Sequence, residues 1–294
     1  MTSAPDRLLL RLEWQVLRRL DGRLQGGYRT VHRGSGMDFA GLRPYADGDD
    51  ARYIDWNVSA RLDELQIREF HEDRELTAWL VLDRSASMSV GGSGRSKGDV
   101  LGELALSLAR LLGRTGNRVG AVLYETGHTR VVPPGTGRRQ ALRIGSELDR
   151  PGSADGRGTT DLGAMLEAVA SMARRRSLVV VVSDFIGVGA WERPLMQLAH
   201  RNEVVALRVV DEVDDALPAV GLIVVEDIET GEQLLVDSSD PLFRSRFQTG
   251  VDERDELLAA GMRHARVPLH RVGTQDDLVD SLVGIVRASQ RRPA

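Results

Sequence analysis

Cysteine is missing from all 294 residues, which excludes disulfides, thiolate metal sites and a cysteine nucleophile. That absence suits a reducing compartment, and a cytoplasmic location is the expectation. Long apolar runs are missing too. Stretches such as Leu178 to Val182 fall far short of the roughly twenty residues that a spanning helix needs, so no integral membrane segment is expected. Near the N-terminus, Asp6, Arg7 and Arg11 break up any signal-peptide core. A formal net charge of −4 leaves no surplus of cations for nucleic acid, and none is expected as a partner. Walker A, G-x-G-x-x-G and H-E-x-x-H patterns do not occur, and the six histidines are scattered.

What is present falls into two parts. Residues 6–24, DRLLLRLEWQVLRRLDGRL, place Leu9, Leu12, Val16 and Leu20 on one helical face, and Gly26-Gly27 end the pattern. This helix either packs on its own domain or lies against a partner or membrane surface; both readings stay open. Residues 30–75 are charged and rich in turn signals, with a half-buried strand expected over 64–70. From Leu76 onward the rhythm changes. Strands are expected over 76–83, 117–125, 129–134, 178–184, 203–211 and 267–273. Helices are expected over 99–115, 138–150, 162–176, 191–202, about 241–265 and 276–290, and a hairpin over 221–237 turns at Glu229-Thr230-Gly231.

Val- and Leu-rich runs without alternation mean strands covered on both faces. Alternation of such strands with helices means an α/β fold with a mainly parallel sheet. The expected division is 1–75, an N-terminal helix with a charged, β-containing extension, and 76–294, the α/β domain with the hairpin inserted near 221–237.

The chemistry gathers where strands end. In WLVLDRSASM, an apolar strand runs into Asp83, and Ser85 and Ser87 follow at alternate positions. Thr160 and Asp161 open the helix that feeds the next buried strand, and Asp184 closes that strand. In an open parallel sheet, ligands bind beyond the carboxyl ends of the strands. All-oxygen donors suit a hard divalent cation, Mg2+ before Mn2+ or Ca2+, rather than zinc. Asp161 reads as a helix cap. The G-x-S-x-G match in GRSKG, residues 94–98, follows a loop rather than a strand, so it is no nucleophile elbow.

Asp83-Arg84-Ser85-Ala86-Ser87, followed by Thr160 and Asp184, resembles the metal-ion-dependent adhesion site of the von Willebrand factor A family. Upstream, Asp38-Phe39, Leu42-Arg43, Tyr45, Gly48-Asp49-Asp50, Arg52, Ile54-Asp55-Trp56 and Ser59-Ala60-Arg61 resemble the signature of the domain of unknown function 58 family. The resemblance implies a von Willebrand A-like (Rossmann-like) fold and a bacterial setting beside MoxR-type AAA+ ATPases. It implies that Ser85, Ser87 and Thr160 hold the ion together with Asp83 and Asp184, directly or through water. One coordination position is left for a carboxylate from a partner protein.

The expected function is therefore metal-dependent protein binding, not catalysis, with a MoxR-type ATPase or its substrate as partner. The alternative is a Mg2+-dependent hydrolase or phosphatase built on the same ion. Aspartyl phosphatases want a second Asp two residues after the first, where this chain has Ser85. The charged segment 38–61 carries two readings as well. It is either a surface held by ion pairs and Asx turns, or a docking surface anchored by Tyr45 and Trp56.

Overall fold

A computed structural model describes residues 37–46, 49–72, 76–92, 94–114, 116–125, 127–151, 160–187, 189–226 and 231–290. The helix expected over 6–24 lies outside the described residues, as do Glu229 and Thr230 of the hairpin turn. Two compact units separate between Leu76 and Thr77.

In the smaller unit, strand β1 (Met37–Pro44) pairs antiparallel with β2 (Gln66–Glu72), from Met37 opposite Glu72 to Pro44 opposite Gln66. The connection carries a 3-10 turn, Ala51–Tyr53, and helix α1 (Trp56–Leu62). Aspartates start both. Asp50 accepts from the Arg52 N–H, and Asp55 accepts from the Asn57 and Val58 N–H groups at 3.1 and 3.2 Å. Arg43 grips Asp49 through both terminal nitrogens at 2.7 Å. That bond, with the Ala46 N–H behind it, holds the Asp49 carboxyl down to about 2. The ion-pair and Asx-turn reading of the charged segment therefore accounts for Arg43, Asp49, Asp50, Arg52 and Asp55. Trp56, 66% exposed, is left on the surface.

The larger unit begins with β3 (Thr77–Asp83) and continues through α2 (Lys97–Arg114), β4 (Arg118–Glu125), β5 (His128–Gly135) and α3 (Gly137–Leu148). Helix α4 (Leu162–Met172), β6 (Leu178–Ser183), α5 (Glu192–Arg201) and β7 (Glu203–Val210) follow, then the single turn α6 (Glu212–Asp215). Hairpin strands β8 (Leu222–Glu226) and β9 (Gln233–Asp237), α7 (Pro241–His264), β10 (Leu269–Gly273) and α8 (Leu278–Gln290) complete it.

Six strands form one sheet in the order β10-β7-β6-β3-β4-β5, parallel throughout except for β5 at one edge. Alternate residues of β3 explain the two layers around it. Ala78, Leu80 and Leu82 pack with Val100, Leu101 and Leu104 of α2, Ile144 of α3 and Leu282 of α8. Trp79 and Val81 pack on the other face with Met165 and Val169 of α4, Leu198 of α5 and Met262 of α7. A strand covered on both sides needs no polar face, which is why its sequence shows no alternation. Opposite Gly120 of β4, the edge strand β5 carries Pro133 and Pro134 where the pairing register shifts. Among the described residues, no helix is long and apolar enough to cross a membrane.

The expected α/β class with a mainly parallel sheet and helices on both faces is what the chain forms. Three short elements escaped the sequence reading: β1, α1 and the single turn α6. The first two lie in the turn-rich region, and helices of seven and four residues carry too few apolar positions to show a period.

Candidate functional site

Strand order locates the site before any side chain is considered. From β3 the chain passes through α2 to β4 on one side, then returns through α4 to β6 on the other. The connections therefore diverge between β3 and β6, and the carboxyl ends of those two neighbours form the crevice where open α/β sheets bind ligands. Asp83 ends β3 and Asp184 follows β6 directly.

All five predicted residues are buried there: Asp83 and Thr160 at 0% exposure, Asp184 at 1%, Ser85 at 4% and Ser87 at 8%. Asp83 is held on both oxygens. Its Oδ1 accepts from the Ser85 N–H at 2.9 Å, and its Oδ2 accepts from the Ser183 hydroxyl at 2.5 Å. Ser183 thus ties the end of β6 to the end of β3. The Ser85 and Ser87 hydroxyls lie 3.1 Å apart, because the chain after Asp83 curls into a 3-10 turn, Ala86–Ser89. Asp184 Oδ1 accepts from the Ile186 N–H at 3.0 Å.

The third loop is placed by two contacts. Tyr124, opposite Asp83 in the β3–β4 ladder, lies against the backbone and charge of Asp161 and within range of the Asp83 charge. Burial first, and then the charge of Asp161, push its phenol up. Gly187 backs the same loop: a Cβ there would meet the Thr160 carbonyl at 2.5 Å and the Thr160 Cβ at 3.2 Å. Asp161 itself accepts from the Ala164 N–H and caps α4.

Gly187→Ala is accordingly expected to push the Thr160 loop outward without removing a donor. A destabilisation of about 1–3 kcal/mol is the usual cost of such crowding. If the site takes a divalent cation through Thr160, its affinity should fall as well, which titration of wild type and variant with Mn2+ checks. Equal affinity in the two would mean that Thr160 takes no part.

Two buried carboxylates side by side repel. Burial, and then the charge of Asp184, push the Asp83 carboxyl up to about 6. A cation is missing from the sequence reading of this site, and the fold supplies one. Lys97, 1% exposed at the start of α2, donates from Nζ to Asp184 Oδ2 at 2.8 Å and to Asp214 Oδ2 at 2.9 Å. Burial pulls its ammonium down, but the charges of Asp184 and Asp214 outweigh that, and the net shift is upward.

The network runs on from there. Asp214 Oδ2 also accepts from the Asp211 N–H at 3.2 Å. Asp211 accepts from the Thr274 hydroxyl at 2.6 Å, the Val213 N–H at 3.1 Å and the Gly92 N–H at 3.3 Å. Beside Asp83 and Ser85, an open cleft of about 850 Å3 is walled by Arg84, Arg95, Asp99 and Glu103.

The donor set fits a hard divalent ion. Two carboxylates and two serine hydroxyls gather at the carboxyl ends of β3 and β6 with the buried Thr160 loop beside them, no nitrogen or sulfur ligand is among them, and Lys97 offsets only part of the acidic charge. No cluster of three or more His, Cys, Asp or Glu in metal-binding range occurs among the described residues, so such an ion would depend on the hydroxyls. Ser96, the serine of GRSKG, exchanges hydrogen bonds with Asp99 at the start of α2, and the segment before it is loop rather than strand.

Comparison with known proteins places the chain among relatives. An uncharacterized protein of Mycobacterium tuberculosis is 35% identical over 283 residues, covering 96% of this chain and 89% of the relative. One of Mycobacterium bovis matches to the same extent, 35% over 283 residues. Among solved structures, the conserved hypothetical protein BatB from Bacteroides thetaiotaomicron is similar at 14% identity and a TM-score of 0.45, covering 73% of this chain and 98% of its own. The VWA domain of SpRpn10 is similar at 14% identity and a TM-score of 0.42, covering 74% of this chain and 99% of its own. The profile of the family described as protein of unknown function DUF58 matches residues 41–256, and this chain belongs to that family.

Proposed function

We propose that this protein is a metal-dependent protein-binding module of von Willebrand A type. The observation that carries the reading is the burial of Asp83, Ser85, Ser87, Thr160 and Asp184 at the switch point of the sheet. Asp83 and Asp184 supply charge, while Ser85, Ser87 and Thr160 add neutral oxygens without adding repulsion. A bound Mg2+ would supply an electrophilic position that an incoming carboxylate can fill. The adjoining cleft carries both signs of charge, Arg84 and Arg95 beside Asp99 and Glu103, with Arg84 paired to Glu125 and Arg95 to Glu103, so the ion itself would be the attraction for an incoming carboxylate. The partner that family context favours is a MoxR-type AAA+ ATPase or a protein that it remodels.

Pull-downs in Mg2+ and in EDTA, with wild type and Asp184→Ala, test this. Recovery of an AAA+ ATPase only by wild type in Mg2+ is the expected result. The same partners in all four samples would move binding to another surface. Turnover of p-nitrophenyl phosphate that needs Mg2+ and Asp83 would instead favour the hydrolase alternative.

A further inference from the structure

We propose that Lys97 is a built-in rival of the divalent cation: its ammonium holds Asp184 while the ion is away and passes wholly to Asp214 when the ion binds. This rests on the metal reading given above and adds a residue to it that sets affinity. Three observations carry it. Lys97 is buried to 1% exposure, so its charge has no access to water and must be matched by the protein. Its ammonium reaches two carboxylates almost equally, Asp184 at 2.8 Å and Asp214 at 2.9 Å, so a second partner already stands where the charge would go. Finally, Asp184 belongs to the proposed donor set, whereas Asp214 lies on α6, one strand further along the sheet.

A cation entering beside Asp184 meets the Lys97 charge across a poorly screened interior, so the ion must displace it or share the carboxylate. Sharing is the costlier course because both charges are positive. Displacement costs less, since Asp214 keeps the ammonium paired. The hand-over has a structural echo. Asp214 also holds the Asp211 N–H, and Asp211 holds Gly92 and Thr274, so ion entry is felt at the 90–92 loop and at the end of β10.

Two substitutions pull in opposite directions. Lys97→Met removes the rival at nearly constant volume, and the Mn2+ dissociation constant should fall at least about tenfold. Asp214→Asn takes away the alternative partner, pins the ammonium on Asp184, and should raise that constant several-fold. Isothermal titration with Mn2+ at pH 7.5 reads both, with circular dichroism to show that each variant is folded and Asp83→Ala as the site-dead control.

Both shifts are required. A Lys97→Met protein that binds no tighter than wild type overturns the proposal, and so does an Asp214→Asn protein with unchanged affinity. Should Lys97→Met fail to fold, the Asp214→Asn arm decides alone. If wild type, Lys97→Met and Asp83→Ala all give the same flat isotherm, the metal reading itself has failed and the rivalry falls with it.

Discussion

Without metal, Lys97→Met is expected to lower stability by about 3–5 kcal/mol, the cost of removing one partner from a buried ion pair. The size follows from what is left behind. Asp184 is 1% exposed and, among the described residues, keeps the Ile186 N–H, at 3.0 Å, on its other oxygen. Asp83, already burdened by the Asp184 charge, gains no relief. Methionine fills the same space, so packing loss contributes little. Urea melts of both proteins in EDTA measure the difference, and excess Mn2+ should return part of it because a ligand that binds only the folded state stabilises it. A loss below about 1 kcal/mol would show that the ammonium compensates nothing of consequence.

Asp83→Asn should do the reverse at neutral pH. Asp83 is pushed up to about 6 in the fold, against 3.8 for the free group. Between those values the unfolded chain gives up its proton while the folded one keeps it. Stability therefore falls as pH rises through that window and stays lowered above 6. About two pH units at 1.4 kcal/mol each puts the penalty near 3 kcal/mol. Asparagine never ionises, can still accept the Ser85 N–H, and can donate to the Ser183 oxygen. In EDTA at pH 7.5 the variant should melt above wild type, and near pH 4 the advantage should vanish. Adding Mg2+ should raise the melting temperature of wild type alone, and more at pH 7.5 than at pH 5, since the ion needs Asp83 charged. A variant less stable than wild type at pH 7.5 in EDTA would show that the carboxylate carries no such strain.

The larger unit was legible because its signals are redundant. Leu178 to Val182 can only be a strand covered on both faces, and the helices around it carry apolar stripes of the right period. Asp83 and Asp184 were found because strand ends are the places where such a sheet exposes side chains. Lys97 was not, since a search by ligand type passes over an ammonium, and GRSKG draws the eye to its serine. A signal was present all the same: Lys97, Val100, Leu101 and Leu104 fall on one helical stripe, and a lysine on an apolar stripe needs a buried counter-charge. Tyr124 gave less warning. It closes an ordinary apolar strand, and only the register that sets it opposite Asp83 gives it a part in placing the Thr160 loop. The ion pairs of the smaller unit were likewise open until geometry chose partners, because Arg43, Asp49, Asp50 and Arg52 allow several pairings on paper.

The two prolines of β5 bear on how this sheet can meet other chains. An edge strand is normally a template for strand addition, but Pro133 and Pro134 offer no N–H, and the register shift beside them bends the ribbon away from a flat ladder. Over that end of the strand, growth by backbone pairing is blunted, whether with a copy of this chain or with an extended peptide. A partner strand added there would find a donor missing from the ladder.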